Sequence, residues 1–253
     1  MFRKRLTIAI PVFLALALLC VPPARAQEKK FTFDFESGPA FNGYNDVRVP
    51  GDTGTFFSLT KDLNSKPGLY LRLRLNWRLG PKSTLSLLVA PLTLKADGTA
   101  ASALFFLDRT FPSGSPLNGS YTFNSYRLTY RFEFIRGERW TVGAGFTAKI
   151  RDAAIRVSSG SQSAEKTNVG FVPLLNFRAV YRGPGIWGFL FEADALAAPQ
   201  GRAEDILAAV LIRLSPAITL KAGYRIVEGG ADNAVVYNFA LIHYAAVGLL
   251  IDF

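Results

Sequence analysis

The sequence predicts an all-β fold: a transmembrane, antiparallel, up-and-down β-barrel of about ten strands behind a cleaved signal peptide. Three observations carry this expectation. Hydropathy alternates with a period of two along most of the chain, the aromatic residues gather on the oily side of that alternation, and short turns alternate with longer polar connections.

The leader comes first. Arg3, Lys4 and Arg5 precede an apolar run from Ile8 to Val21, which ends in the small-residue site Ala24-Arg25-Ala26. This is the layout of a secretory signal peptide, with cleavage expected before Gln27. The run has 14 residues, short of the roughly 20 that span a bilayer as a helix. Cys20 lies inside it, with Leu19 where a lipobox needs Gly, Ala or Ser, so lipidation is not expected. Residues 1–26 form the leader and residues 27–253 the barrel domain. Removing the leader takes away Arg3, Lys4, Arg5 and Arg25, so the charge falls from +10 to +6, and no cysteine remains. An exported chain without disulfides must find its stability in packing and backbone hydrogen bonds. No later segment offers 18 uninterrupted apolar residues, which excludes helical membrane spans.

The strands follow in order. Phe31, Phe33 and Phe35 oppose Thr32, Asp34 and Glu36, and the segment from Tyr70 to Leu79 alternates leucine or aromatic with Arg72, Arg74, Asn76 and Arg78. Successive side chains of a strand point to opposite faces, so each segment has one oily and one charged side. Tyr126, Leu128, Tyr130, Phe132 and Phe134 oppose Arg127, Arg131 and Glu133. Trp140, Val142, Ala144, Phe146 and Ala148 oppose Gly143, Gly145, Thr147 and Lys149. Val169, Phe171, Leu175, Phe177 and Tyr181 oppose Asn176, Arg178 and Arg182, while Trp187, Phe189 and Phe191 oppose Glu192 and Asp194. Leu220, Ala222, Tyr224 and Ile226 oppose Lys221, Gly223 and Arg225. So many outward rings would leave large sticky patches on a soluble sandwich, whereas lipid accepts them.

Short turns are expected at Gly80-Pro81-Lys82, Arg136 to Arg139, Gly183-Pro184-Gly185 and Pro216-Ala217. Longer connections are expected near residues 38–68, 97–119, 152–167, 198–204 and 228–233. A hairpin of 41–49 with 55–63, rising above the membrane around Pro50 to Gly54, would change the count to eight or twelve strands. A closed barrel is the one sheet that leaves no unpaired edge in lipid.

The last strand, Ala234 to Phe253, ends on phenylalanine with Ile251, Leu249, Val247 and Ala245 at alternate positions and Gly248 five residues before the end. This resembles the C-terminal assembly signal of small, single-chain bacterial outer-membrane β-barrels. The resemblance implies an outer-membrane location, contact with outer-membrane lipids, and recognition of Phe253 by the barrel assembly machinery.

Inward faces read from the alternation place Arg72, Arg74, Arg78, Arg127, Arg131, Lys149, Arg151, Arg178, Arg182, Lys221 and Arg225 in the lumen, against Asp34, Glu36, Glu133, Glu192 and Asp194. Eleven bases against five acids predict salt-bridge networks with residual positive potential. The leading functional reading is a cationic, salt-bridge-filled barrel with a structural or surface-binding role. The alternative is a narrow channel for anions or small solutes, in which rings of Arg and Lys select by charge. A third reading is an enzyme acting on lipid or peptide. Nucleic acid is excluded as a partner, because the bases alternate into a lumen and form no accessible basic face.

Catalytic and metal signals are thin, and no cofactor is expected. The single histidine, His243, shares the outward face of Phe253. Its segment is similar in part to outer-membrane lipid A deacylases, whose catalytic histidine faces lipid and is followed two positions later by a nucleophilic serine. Here that position is Ala245, so the imidazole has nothing to activate. A ten-stranded outer-membrane aspartate protease would need its histidine beside acids at the extracellular rim, which an outward His243 does not offer. Residues 160–167 have the look of a phosphate loop, but Glu165 replaces the required glycine; a polar loop is expected. Asp46, Asp52, Asp97, Asp108, Glu204, Asp205, Glu228 and Asp232 are loop acids that could hold a hard cation. The connections 198–205 and 227–233 are candidate binding rims.

Overall fold

The computed structural model describes residues 29–199 and 201–253. The leader expected over residues 1–26 lies outside them.

Fifteen strands follow in chain order: β1 (Phe31–Arg48), β2 (Phe57–Ser58), β3 (Asn64–Lys66), β4 (Gly68–Gly80), β5 (Ser83–Ala90), β6 (Thr93–Thr99), β7 (Leu104–Phe106), β8 (Arg109–Phe111), β9 (Pro116–Arg136), β10 (Trp140–Ser159), β11 (Gln162–Arg182), β12 (Trp187–Ala198), β13 (Gly201–Arg213), β14 (Ile218–Asp232) and β15 (Tyr237–Asp252). Strands β5 and β6 are two halves of one stave, interrupted at Pro91, where a proline cannot donate to the ladder. Both halves pair with β9. With that stave counted once and the short strands β2, β3, β7 and β8 left outside the wall, ten staves run antiparallel, and the ring closes because β1 pairs with both β15 and β4 while β9 pairs with β10. The wall is therefore a closed ten-stranded barrel with no free edge.

Its outer surface is greasy. Leu75, Leu87, Leu128, Tyr130, Phe146, Phe171, Phe189 and Val247 are all exposed. At the short-turn end, rings form a girdle: Phe31 stacks between Trp77 and Phe253 at 6.1 and 5.9 Å, and Trp140 meets Tyr181 at 4.9 Å. Amphipathic rings at that level are the interfacial belt of a membrane protein. All four short turns fall where the sequence places them, and both termini of the wall stand at the same end. In barrels of this type that end is periplasmic.

The other end departs from expectation. Residues 152–167 form no loop: β10 and β11 run on as a ladder to Ser159↔Gln162, leaving only Gly160 and Ser161 as the turn. The polar loop expected over 160–167 is thus mostly the start of β11. Connections 198–204 and 228–233 are likewise strand for most of their length, because β12–β13 and β13–β14 stay paired to Ala198↔Gly201 and Gly201↔Ala231. Along the upper β10 the alternation inverts, with Ile155 and Val157 buried against the inward loops and Arg156 exposed outside, the opposite of the lipid-facing wall.

The first loop raises no tall hairpin. Between the two arms only Asp46↔Ser58 and Val47↔Phe57 pair: residues up to Arg48, expected within the loop, stay in the wall as the end of β1 paired with β15, and residues 57–63 fold against the upper lumen. Phe57, Leu59 and Leu63 join Phe106 and Phe111 of the β7–β8 hairpin in a core that includes Tyr70, Leu94, Leu117 and Tyr121 of the wall. Backbone bonds tie the two loops together, from Thr55 N–H to the Phe105 carbonyl at 2.9 Å and from Leu107 N–H to the Val49 carbonyl at 2.8 Å. Burying these rings outweighs leaving them in water, so the loops cap the lumen and the stave count stays at ten.

Candidate functional site

Below the apolar cap the lumen is filled by charge, and the β registers decide which charges meet. Arg72 and Arg74 of β4 lie level with Glu36 and Asp34 of β1. On the other side of β1, Gly248 of β15 lies between Glu36 and Lys221 of β14. With no side chain at Gly248, the Lys221 ammonium reaches Asp34 at 2.6 Å and Glu36 at 2.7 Å. Arg225 grips Glu36 with Nε and Nη2 at 2.8 and 3.0 Å. Gly143 and Gly145 of β10 do the same for the long side chains on β9 and β11, lying level with Arg178 and Asn176 on one side and with Glu133 and Arg131 on the other.

The centre of the network is Asp205. Arg72 Nη2 donates to it at 2.9 Å and Arg225 Nη1 at 2.5 Å, while Arg127 Nη2 stands 2.6 Å away. These guanidinium groups come from β4, β14 and β9, and the carboxylate from β13, so the contacts cross the lumen. Arg127 also donates to Asp194 at 2.7 Å, which accepts further bonds from Thr147 and Asn176 at 2.9 and 2.8 Å. Glu192 takes Arg74, and Arg178 at 3.5 Å. Glu133 accepts from Thr84 at 3.1 Å and Arg136 at 3.2 Å.

Asp205 corrects the sequence reading, which placed it among the loop acids. It is 3% exposed and lies inside the wall, because β13 starts at Gly201, earlier than the polar composition of 198–205 suggests. In the fully buried layer seven bases (Arg72, Arg74, Arg127, Arg131, Lys149, Lys221, Arg225) face six acids (Asp34, Glu36, Glu133, Glu192, Asp194, Asp205), Asp205 being the acid the sequence reading left out. The remaining bases predicted inward lie at the two mouths. Arg78 and Arg178 are half-buried and Arg182 is exposed at the turn end, where with Arg213 they line a recess of about 310 Å³. Arg151 is half-buried toward the loop end and donates to Asn168.

Two of the buried bases, Arg131 and Lys149, make no ion pair among the described residues; Arg131 donates instead to Asn176 at 3.4 Å. Lys149 is 3% exposed, and its ammonium lies 4.7 Å from the centre of the Phe123 ring. A ring face returns roughly 0.5–2 kcal/mol, while burying an unpaired ion costs several kcal/mol. Lys149 forms the floor of a cavity of about 150 Å³ at the loop end, lined by residues of β9, β10, β11, β13, β14 and β15 and edged by Asn233 and Val236. The expected rim 227–233 thus contributes to this cup, and Glu228 in it is held by Arg202 through two 2.8 Å bonds.

His243 lies on the outer wall, stacked on Phe41 at 5.3 Å and bonded through Nδ1 to the Tyr224 hydroxyl. Among the described residues, no three His, Cys, Asp or Glu side chains gather as a metal site. Asp97 is paired with Lys66 and Asp108 with Arg109.

No family model and no curated protein matches the chain. Among solved structures it is similar to the outer membrane protease OmpT from Escherichia coli, at 9% identity over 88% of this chain and 97% of that one, with a TM-score of 0.55. It also matches Ail, the attachment invasion locus protein of Yersinia pestis, at 11% identity over 88% of this chain and 99% of that one, with a TM-score of 0.38. The likeness to OmpT is one of fold. Together with the closed wall and the outward apolar belt, it makes this chain an outer-membrane-type β-barrel, in contact with membrane lipid.

Proposed function

We propose that the chain is a sealed outer-membrane barrel, which spans the bilayer without conducting and presents the cup at its loop end as a binding surface. The observation that supports this reading is the convergence of Arg72, Arg127 and Arg225, from three staves, on the single carboxylate of Asp205 beneath two inward-folded loops. A solute path through this layer would have to part buried ion pairs, each costly to break. The competing channel reading draws on the arginine-lined recess at the turn end. It requires that recess to connect with the cup through the Asp205 layer. The enzymatic reading lacks a comparable constellation, since proteolysis belongs to OmpT and the histidine here is on the lipid side. Recognition by the assembly machinery is proposed on the alternating apolar positions Val247, Leu249, Ile251 and Phe253 of the last segment.

Single-channel recording in planar bilayers tests the sealed reading, with folding checked by heat-modifiable gel migration. Folded protein should give no discrete current steps, and it should still give none when residues 52–63 are replaced by a glycine-serine linker, because the charged layer lies below those loops. Steps from the folded wild type refute the proposal.

A further inference from the structure

We infer that the cup at the loop end binds a small monoanion with an apolar, ring-sized body, its carboxylate held by Lys149. This rests on the proposed surface-binding role and names its ligand class. The floor of the cup supplies the charge. Lys149 is more than nine-tenths buried, among the described residues it has no carboxylate partner, and the ring of Phe123 covers one side of its ammonium at 4.7 Å. A lysine ammonium has three donors and no acceptor, so an anion entering the cup meets unused N–H groups. Above the floor, the Nε of Arg151 has no hydrogen-bond partner. Lys166 adds a third positive charge to the lining. The one lining acid, Glu228, is already taken by Arg202 and by the Tyr44 hydroxyl.

The walls supply the rest of the selectivity. Tyr121, Phe123, Ile155, Val227, Ala240 and Ile242 present mostly carbon. The volume of about 150 Å³ matches the cavity that accepts one benzene-sized ring. A multiply charged anion such as phosphate would lose its hydration shell against carbon and find too few donors. A benzoate-like monoanion would place its ring on the apolar wall and its charge on Lys149.

The test is titration of the folded barrel in detergent micelles with 4-fluorobenzoate, followed by the fluorine resonance. Saturable binding is expected, with fluorobenzene and inorganic phosphate as the uncharged and apolar-free controls. Loss of a charge-assisted hydrogen bond predicts that Lys149→Met weakens 4-fluorobenzoate roughly tenfold or more while leaving fluorobenzene unchanged. Lys149→Arg should retain binding. Should Lys149→Met fail to fold, the double variant Arg151→Gln, Lys166→Gln at the rim decides: a several-fold weakening supports the inference and unchanged affinity overturns it. Equal affinity of folded Lys149→Met and wild type for 4-fluorobenzoate, or phosphate competing as well as benzoate does, overturns it as well. A folded barrel that neither conducts nor binds 4-fluorobenzoate overturns this inference alone. A barrel that conducts refutes the sealed reading, and the Lys149→Met titration then judges this one by itself.

Discussion

Replacing Asp205 with asparagine removes one charge and almost no volume, so it isolates the electrostatics of the layer that closes the lumen. Three guanidinium groups lose a shared partner. Arg225 keeps both of its bonds to Glu36 and Arg127 keeps Asp194, but Arg72 is left with Glu36 at 3.9 Å as its nearest carboxylate. The buried balance moves from seven bases against six acids to seven against five. Breaking a buried pair by removing one partner costs about 3–5 kcal/mol, because the remaining charge stays desolvated. With two of the three arginines still partnered, the lower half of that range is expected, about 3 kcal/mol. The assay is reversible urea unfolding of the barrel refolded into lipid vesicles, followed by tryptophan fluorescence and heat-modifiable migration. Adding Arg72→Met to Asp205→Asn removes the stranded cation, so the double variant should be less destabilised than the sum of the single variants by about 1–3 kcal/mol. A cost below about 1 kcal/mol for Asp205→Asn, or strict additivity in the double variant, would show that water already solvates this layer. The sealed lumen would then lose its basis.

Gly248→Val tests the gap through which Lys221 reaches β1. A Cβ there would stand 2.1 Å from the Phe35 carbonyl oxygen, so the β15–β1 seam must open, and loss of the heat-modifiable folded form is expected; a folded variant of wild-type stability would contradict the register. Leu128→Arg places a charge on the outer wall, level with Leu87, and should lower stability by roughly 2–4 kcal/mol in vesicles if that face meets the middle of the bilayer. An unchanged unfolding midpoint would place Leu128 outside the hydrocarbon. Deleting Phe253 should slow assembly in cells more than it slows unaided refolding, since its ring stack on Phe31 and the two backbone bonds between them lie at the rim of the wall. Equal slowing in both measurements would make its role structural.

The wall was legible because membrane strands obey a strict rule, one side to lipid and one to the lumen, and each strand states it locally. Phe31 to Glu36, Leu71 to Arg78 and Tyr126 to Phe134 carry the rule without ambiguity, and the structure places their charged members inward. The rule weakens above the bilayer. The upper parts of β10 and β11 and the start of β13 therefore read as loop, and Asp205 was misplaced with them.

The sequence by itself determined the antiparallel wall and its greasy belt, since hydropathy with a period of two is fixed by the covalent chain and its solvent. It also marked most of the residues that face inward, Asp205 excepted, while the stave count was decided only by the inward fold of the first loop. Pairing was left to the tertiary structure: Asp205 meets Arg72, a residue 133 positions away, and Lys221 reaches Asp34 across 187. Those meetings depend on the register around the ring and on a glycine at the right level, quantities that no single strand encodes. The inward fold of the two loops and the burial of Lys149 away from the carboxylates of the described residues were likewise settled in three dimensions, because burial and charge balance are properties of the closed lumen as a whole.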